Sequence, residues 1–251
     1  MSFIADKQTL ADLNLTGRYN THSIYNLFNK TQTQGGAALL NEMFHHPLAS
    51  PEEINHRSSI FEFFQQKAGF PLNNELVIAL EDYLSTGGPN SKPASYLYIF
   101  RCKLLQRLGI DHTYDHIKRN LFTSVLALQK LNQFFVDLEE SAAGTAYAKT
   151  VNDMLSLFGD RRLSWLGDVN EREDLPVLKL ARIDYCLRTT LYTGLRKMMG
   201  VLYELDVFMA VAQVAREKRF RYAEALPAGE NLLEFEDLMH PALEKGTGND
   251  L

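Results

Sequence analysis

Residues 113–140 read TYDHIKRNLFTSVLALQKLNQFFVDLEE. Within them Ile117, Leu121, Val125, Leu128, Leu131, Phe135 and Leu138 recur at spacings of three and four, which sets them along one side of an α-helix. At 1.5 Å per residue the seam is about 30 Å long. A helix this long holds its shape in water by covering its apolar side with another helix. One candidate partner is a helix over about 142–158. The stronger one is the run from Leu175 to about Arg219, where Leu178, Ala181, Tyr185, Tyr192, Leu195, Met199, Leu202 and Met209 keep the same spacing and Gly194 or Gly200 could bend the rod. This pattern predicts an all-α fold with minor β structure, built as a helical core bundle with a long antiparallel helical lever.

The flanking sequence adds shorter elements. Alternation over Thr9–Leu15 has period two and suggests a short extended segment before Gly17. Thr21 and Thr33 can each cap a helix, the second running from about Gly35 to His45 and stopping before Pro47. Ser50, Pro51 and Glu53 match a capping box, followed by Ile54, Phe61, Phe64 and Ala68 on one side of a helix. A helix over 74–84 ends in a loop marked by Gly87, Gly88, Pro89, Asn90 and Pro93, and helix resumes over 95–108. After Phe220, Pro227 and Gly229 form a linker, and 232–236 reads as a strand. Four segments are expected: an extended start over 1–20, a helical core over 21–110, long lever helices returning to the core over 111–220, and a linker with one strand over 221–251.

Composition bounds the function. The 251 residues carry 45% hydrophobic side chains, enough for a sizeable core. No apolar run reaches the roughly 18 residues of a membrane span, and the first residues lack a leader pattern, so a cytoplasmic protein with no membrane partner is expected. Cys102 and Cys186 lie far apart in helical segments and are expected to stay reduced. The net charge of −5 argues against a general polyanion binder. One stretch departs from that balance: from Lys92 to Lys130 seven basic residues face only Asp111 and Asp115. A solvated helix surface is the ordinary reading of these residues, and Arg101, Lys103, Arg107, Lys118 and Arg119 are the candidates for a phosphate-facing role on DNA.

Familiar catalytic constellations do not occur. The sequence has no Gly-x-x-x-x-Gly-Lys-Ser/Thr, His-Glu-x-x-His, Gly-x-Ser-x-Gly or Cys-x-x-Cys pattern. His112 and His116 share a helical face four residues apart, but two ligands do not close a metal site, and Asp111 beside them suits a helix cap. His45 and His46 point about 100° apart. Arg188 and Asp206 fall near the apolar stripe of the last long run, where an unpaired charge is costly. They would be about 27 Å apart along one helix, so each needs its own partner, a hydrogen bond that caps or registers a neighbouring helix being the expected one. The lone Trp165 is expected to cover a helix end.

Two segments resemble the MutS family of DNA mismatch-repair proteins. The first runs from Asn26 through Thr31, Thr33, Gly36 and Leu40, then His46-Pro47-Leu48 and Ile54 to Arg57, similar to the family's Leu-x-x-Thr-x-Thr-x-x-Gly-x-x-x-Leu, Pro-Leu and Ile-x-x-Arg signature. The second is Leu205-Asp206 within 203–212, followed by His240-Pro241 and Asn249-Asp250. The resemblance implies structural roles for Thr31, Thr33, Gly36, Pro47, Arg57 and Asp206, and places His240, Pro241, Asn249 and Asp250 next to an ATPase. It departs from the family at Ala38, where an arginine is frequent, and at Gly246, where an adenine-stacking aromatic is frequent.

The same resemblance implies a DNA-mismatch-repair-like parent that binds ATP and Mg, acts on double-stranded or structured DNA, and is a homodimer. For this chain it implies no cofactor and no catalysis of its own, because the phosphate loop would follow the asparagine-aspartate mark. About twenty residues precede the core signature and about 35 separate the long helices, too few for a mismatch-reading domain or a β-rich clamp. An unrelated helical protein-interaction scaffold is the alternative.

Overall fold

The computed structural model describes residues 14–15, 23–67, 69–87, 89, 91–170, 175–227, 229–241 and 248–251. The expected cap Thr21, Gly17, Ala68, Gly88, Asn90, Gly246 and most of the alternating segment 9–15 lie outside them. Contacts divide the chain into two units, one formed by the residues up to Phe70 and from Tyr203 onward, the other by Pro71–Leu202.

In the first unit the described helices before the chain's departure are α1 (Ile24–Phe28), α2 (Gln34–His45) and α3 (Pro51–Gln65). Each begins at a side-chain cap, since the first backbone N–H groups of a helix have no partner inside it. Ser23 accepts from Asn26 N–H, Thr33 from Gly36 N–H and Ser50 from Glu53 N–H. The capping box differs from expectation in one residue: the Ser50 hydroxyl meets the Glu52 carboxylate, and that hydrogen bond holds Glu52 below the usual carboxylate range. The unit closes with the second half of a long helix, whose Val207 packs with Tyr25 and Leu40, while Phe208 lies 5.7 Å from the Phe61 ring and 6.3 Å from Phe64. Beyond it, the Asn55 side chain exchanges two hydrogen bonds with the backbone of Ala225, and Tyr222 stacks on Phe61.

The second unit holds α4 (Asn74–Ser85), α5 (Lys92–Arg107), α6 (Thr113–Ala142), α7 (Ala148–Phe158) and α8 (Val177–Tyr185), with 3-10 turns at Arg161–Leu163 and Leu166–Asp168. Helix α5 starts earlier than expected: Ser91 caps it, and Pro93 sits in its first turn, where no intrahelical N–H is required. It ends at Gly109, whose φ of 68° admits the two closing bonds Gly109 N–H to Gln106 O and Ile110 N–H to Leu105 O.

Helix α6 is the 30-residue rod read from the sequence. Leu121, Val125, Leu128, Leu131, Phe135 and Leu138 are buried, and Ile117 is half-buried. Its covering neighbours are α4 and α7, with α5 and the 166–168 turn. Gln129 ties that turn to α6, its Nε2 donating to Leu166 O (2.7 Å) and Val169 O (2.9 Å).

The run from Leu175 is not one continuous α-helix. After α8 comes a π-helical segment, Cys186–Thr190, and then α9 (Tyr192–Lys218). A π turn carries more residues than an α turn and rotates everything after it. Of the expected seam Leu178 and Tyr192 are exposed, whereas Ala181, Leu195, Met199, Leu202 and Met209 are buried. The interruption falls here rather than at Gly194, where a Cβ would strike Leu157 of α7, or at Gly200, which faces open space. By length and composition α9 could cross a membrane, yet 72% of its most apolar stretch is buried inside the protein.

The tail contains no strand among its described residues. Instead of the strand expected over 232–236, Phe235 pairs with Leu251 and Leu238 with Asn249 through backbone bonds, leaving two residues opposite one. That is a β-bulge. Asp237 takes the extra turn with φ 52° and donates its N–H to the Asp250 carboxylate.

Candidate functional site

In the first unit Thr33 and Asp206, 173 residues apart in sequence, meet at one carboxylate. Asp206 projects from α9 and is buried. Its Oδ1 accepts from Gln32 N–H at 2.9 Å, and its Oδ2 accepts from Thr33 N–H at 2.8 Å and from the Thr33 hydroxyl at 2.7 Å. That hydroxyl, having given its proton to Asp206, accepts Gly36 N–H at 2.8 Å. One side chain thus links the α2 cap to α9. Burial raises the Asp206 carboxyl above its ordinary value, against the pull of the Gln32 and Thr33 donors.

The glycines permit the approach. A Cβ on Gly36 would collide with the Asp206 carboxylate and the Thr33 hydroxyl, and one on Gly35 would enter the Tyr203 ring. Thr31 stands one step outside: its hydroxyl donates to Asn29, whose amide donates to the Tyr25 hydroxyl, which in turn donates to Ala37 O. Arg57 on α3 is half-buried near Glu53 and Glu204, with burial lowering its basicity. Pro47 follows the end of α2 and is exposed, as is Ala38.

The second unit has its own buried charges. Arg188, in the π segment, places Nε 3.1 Å from Asp184 Oδ1, donates to Thr86 O at 3.0 Å, and lies over the Tyr83 ring at 4.3 Å. Thr86 is the C-cap of α4, so the arginine satisfies the helix end. Tyr83 donates its hydroxyl to Asp184 at 2.8 Å. Burial raises the Asp184 carboxyl and, with the nearby Asp184 charge, lifts Tyr83 well above its usual range. Asp184 and Tyr83 are the members of this cluster that sequence reading missed; the inward spacing of Asp184 on α8 was the available signal.

The basic candidates differ in exposure. Arg101, Arg107 and Arg119 are exposed, whereas Lys118 and Lys103 are half-buried. Lys103 donates to Gln106 and lies 4.4 Å from the Tyr114 ring. On α5, Arg101 and Arg107 fall on opposite sides of a row of leucines. His112 precedes α6 and pairs with Asp115 at 3.6 Å, and Asp111 accepts the Thr113 N–H at 2.9 Å. Among the described residues no group of three or more His, Cys, Asp or Glu side chains is placed to hold a metal. Trp165 donates its indole N–H to Arg162 O at the 161–163 turn.

In the tail, Asn249 exchanges backbone bonds with Leu238, Asp250 accepts Asp237 N–H, and a Cβ on Gly248 would collide with Asp237. Those groups are engaged with one another within the bulge. His240 and Pro241 follow the Leu238 bridge.

The family model for MutS domain III matches residues 8–212. A search of curated proteins returns no match to this sequence. The matched span takes in both segments that converge on Asp206, and the chain belongs to the MutS family, as a MutS domain III.

Proposed function

We propose that this chain is the core and lever of a MutS-like, ATP-dependent DNA-binding protein, coupling the nucleotide state of an ATPase to engagement of double-stranded or structured DNA. The observation that carries the reading is the Asp206 clasp. It locks the start of α2 to α9 within one unit, so that a displacement applied to α9 moves the α2 cap with it. The ATP and Mg site would be supplied by other residues of a longer, homodimeric parent, and His240, Pro241, Asn249 and Asp250 would lie beside it. Phosphate contact would fall first on Lys118 and Arg119 of α6, because Arg101 and Arg107 are separated by apolar side chains.

Gel shifts with matched and mismatched duplexes test this reading. The expected result is weak binding, indifferent to the mismatch, that falls steeply with salt by nearly one log unit per log unit of salt for each phosphate neutralised. Arg119→Glu is expected to lower that slope. Preference for the mismatched duplex, or binding insensitive to salt, would sink the assignment. Calorimetry with ATP is expected to show negligible binding to the chain alone, and micromolar affinity would overturn the division of labour.

A further inference from the structure

Helix α5 is apolar on both sides. Ser95, Ile99 and Cys102 are buried on its inner face, against α6 and α8. On the opposite face Leu97, Phe100, Leu104 and Leu108 recur at spacings of three and four, a row about 16 Å long. Leu97 is 72% exposed, Leu104 58% and Leu108 62%, and Ile110 extends the row at 68%. Single exposed leucines are ordinary, but a phased row of them marks an interaction surface. A helix with two apolar faces covers both when it lies between two layers; among the described residues only the inner face of α5 is buried.

Charge identifies the second layer. Helix α5 carries Lys92, Arg101, Lys103 and Arg107 and no carboxylate. Counting about 100° per residue, Arg101 lies on one flank of the row and Arg107 on the other. A second copy of α5 would therefore set cation against cation in either orientation. The row is one helix wide and about 16 Å long, which a single partner helix can cover, whereas a duplex presents phosphates rather than apolar groups to a row of leucines.

We infer that the outer face of α5 docks an amphipathic helix of a partner protein, leucine-like along its seam and acidic on its flanks. The row offers holes for apolar knobs at helical spacing, and Arg101 and Arg107 can each meet a flanking carboxylate. Lys103, held toward Tyr114, contributes charge without contact.

Two synthetic helical peptides with leucine seams test this, one with glutamate and one with lysine on the flanks, titrated by fluorescence anisotropy against the whole chain. The expected result is micromolar binding of the glutamate peptide, at least about tenfold weaker binding of the lysine peptide, and loss of about tenfold affinity in Leu97→Ser/Leu104→Ser. Because both leucines are exposed, the double variant keeps the melting midpoint of the parent chain. Arg101→Glu/Arg107→Glu is expected to reverse the peptide preference. Equal binding of both peptides, binding of neither, or binding indifferent to the serine variant overturns the inference. So does a dimer in sedimentation that the serine variant separates, or capture of phosphatidylglycerol vesicles or duplex DNA through the same leucines. The DNA reading fails separately, through Arg119 and the salt slope, which the leucine substitutions leave unchanged.

Discussion

Asp206 concentrates the stability of the first unit in few atoms. Removing it leaves the Thr33 N–H and hydroxyl buried without an acceptor, so Asp206→Ala is expected to destabilise by on the order of 3 kcal/mol in urea unfolding. Gly36→Ala retains every donor but forces a methyl into the carboxylate, for an expected loss of about 1–3 kcal/mol. Thr31→Val breaks only a half-buried side-chain bond, and a change below about 1 kcal/mol is expected. If Thr31→Val proved as damaging as Asp206→Ala, the clasp would not be the organising contact. The second unit offers a pH test at Asp160, which caps the 161–163 turn and is held down to about 2 by the Arg162 side chain and backbone N–H. A depressed carboxyl stabilises the fold above its ordinary value of 3.8 and loses that contribution as pH falls toward about 2. Asp160→Asn is therefore expected to melt below the parent protein at pH 7, with the gap closing between pH 3.8 and about 2. A gap constant across that window would show the ion pair to be irrelevant.

At the scale of the element, α6 makes the most direct claim. Leu128 is fully buried and Lys130, two residues on, is exposed. Leu128→Ala is expected to cost about 2–5 kcal/mol through lost burial and a residual cavity. Lys130→Ala is expected to stay within about 0.5 kcal/mol. Equal, small effects in denaturant melts would mean that the seam is wrongly phased. The periodicity of α6 was readable because nothing interrupts it. In the 175–219 run Ala181, Leu195, Met199, Leu202 and Met209 of the expected seam are buried, but the π segment interrupts the α-helix, and the apolar residues on both sides of it gave no sign of the break. Arg188 shows why the segment persists: from it the guanidinium reaches Asp184, Tyr83 and the end of α4 together.

For the whole molecule, the lever reading predicts separable activities. In a full-length parent, Leu128→Pro would remove an interior hydrogen bond of α6 and clash with the preceding turn. ATP hydrolysis at a distant site is expected to continue while any DNA effect of turnover is lost. Loss of both together would indicate general unfolding, and retention of both would show that α6 transmits nothing. The two units bear differently on this test, since the clasp lies in one and α6 in the other, so Asp206 and Leu128 variants are expected to add when combined.

The sequence by itself determined the helical class, the phase of α6, the caps at Thr33 and Ser50, and membership of the family, because these rest on local spacing and on short patterns that one stretch of chain holds complete. It also required partners for Arg188 and Asp206, since neither charge is stable alone among apolar residues. Only the tertiary structure decided who those partners are. The Thr-x-Thr and Leu-Asp segments are distant in the chain, and nothing local to either says that one carboxylate accepts from both a backbone and a hydroxyl of the other. The exposure of the basic residues was likewise beyond the sequence, because a count of lysines and arginines along the chain is blind to direction. Packing turns Lys103 toward Tyr114 and leaves Arg101 and Arg107 on either side of an exposed row of leucines.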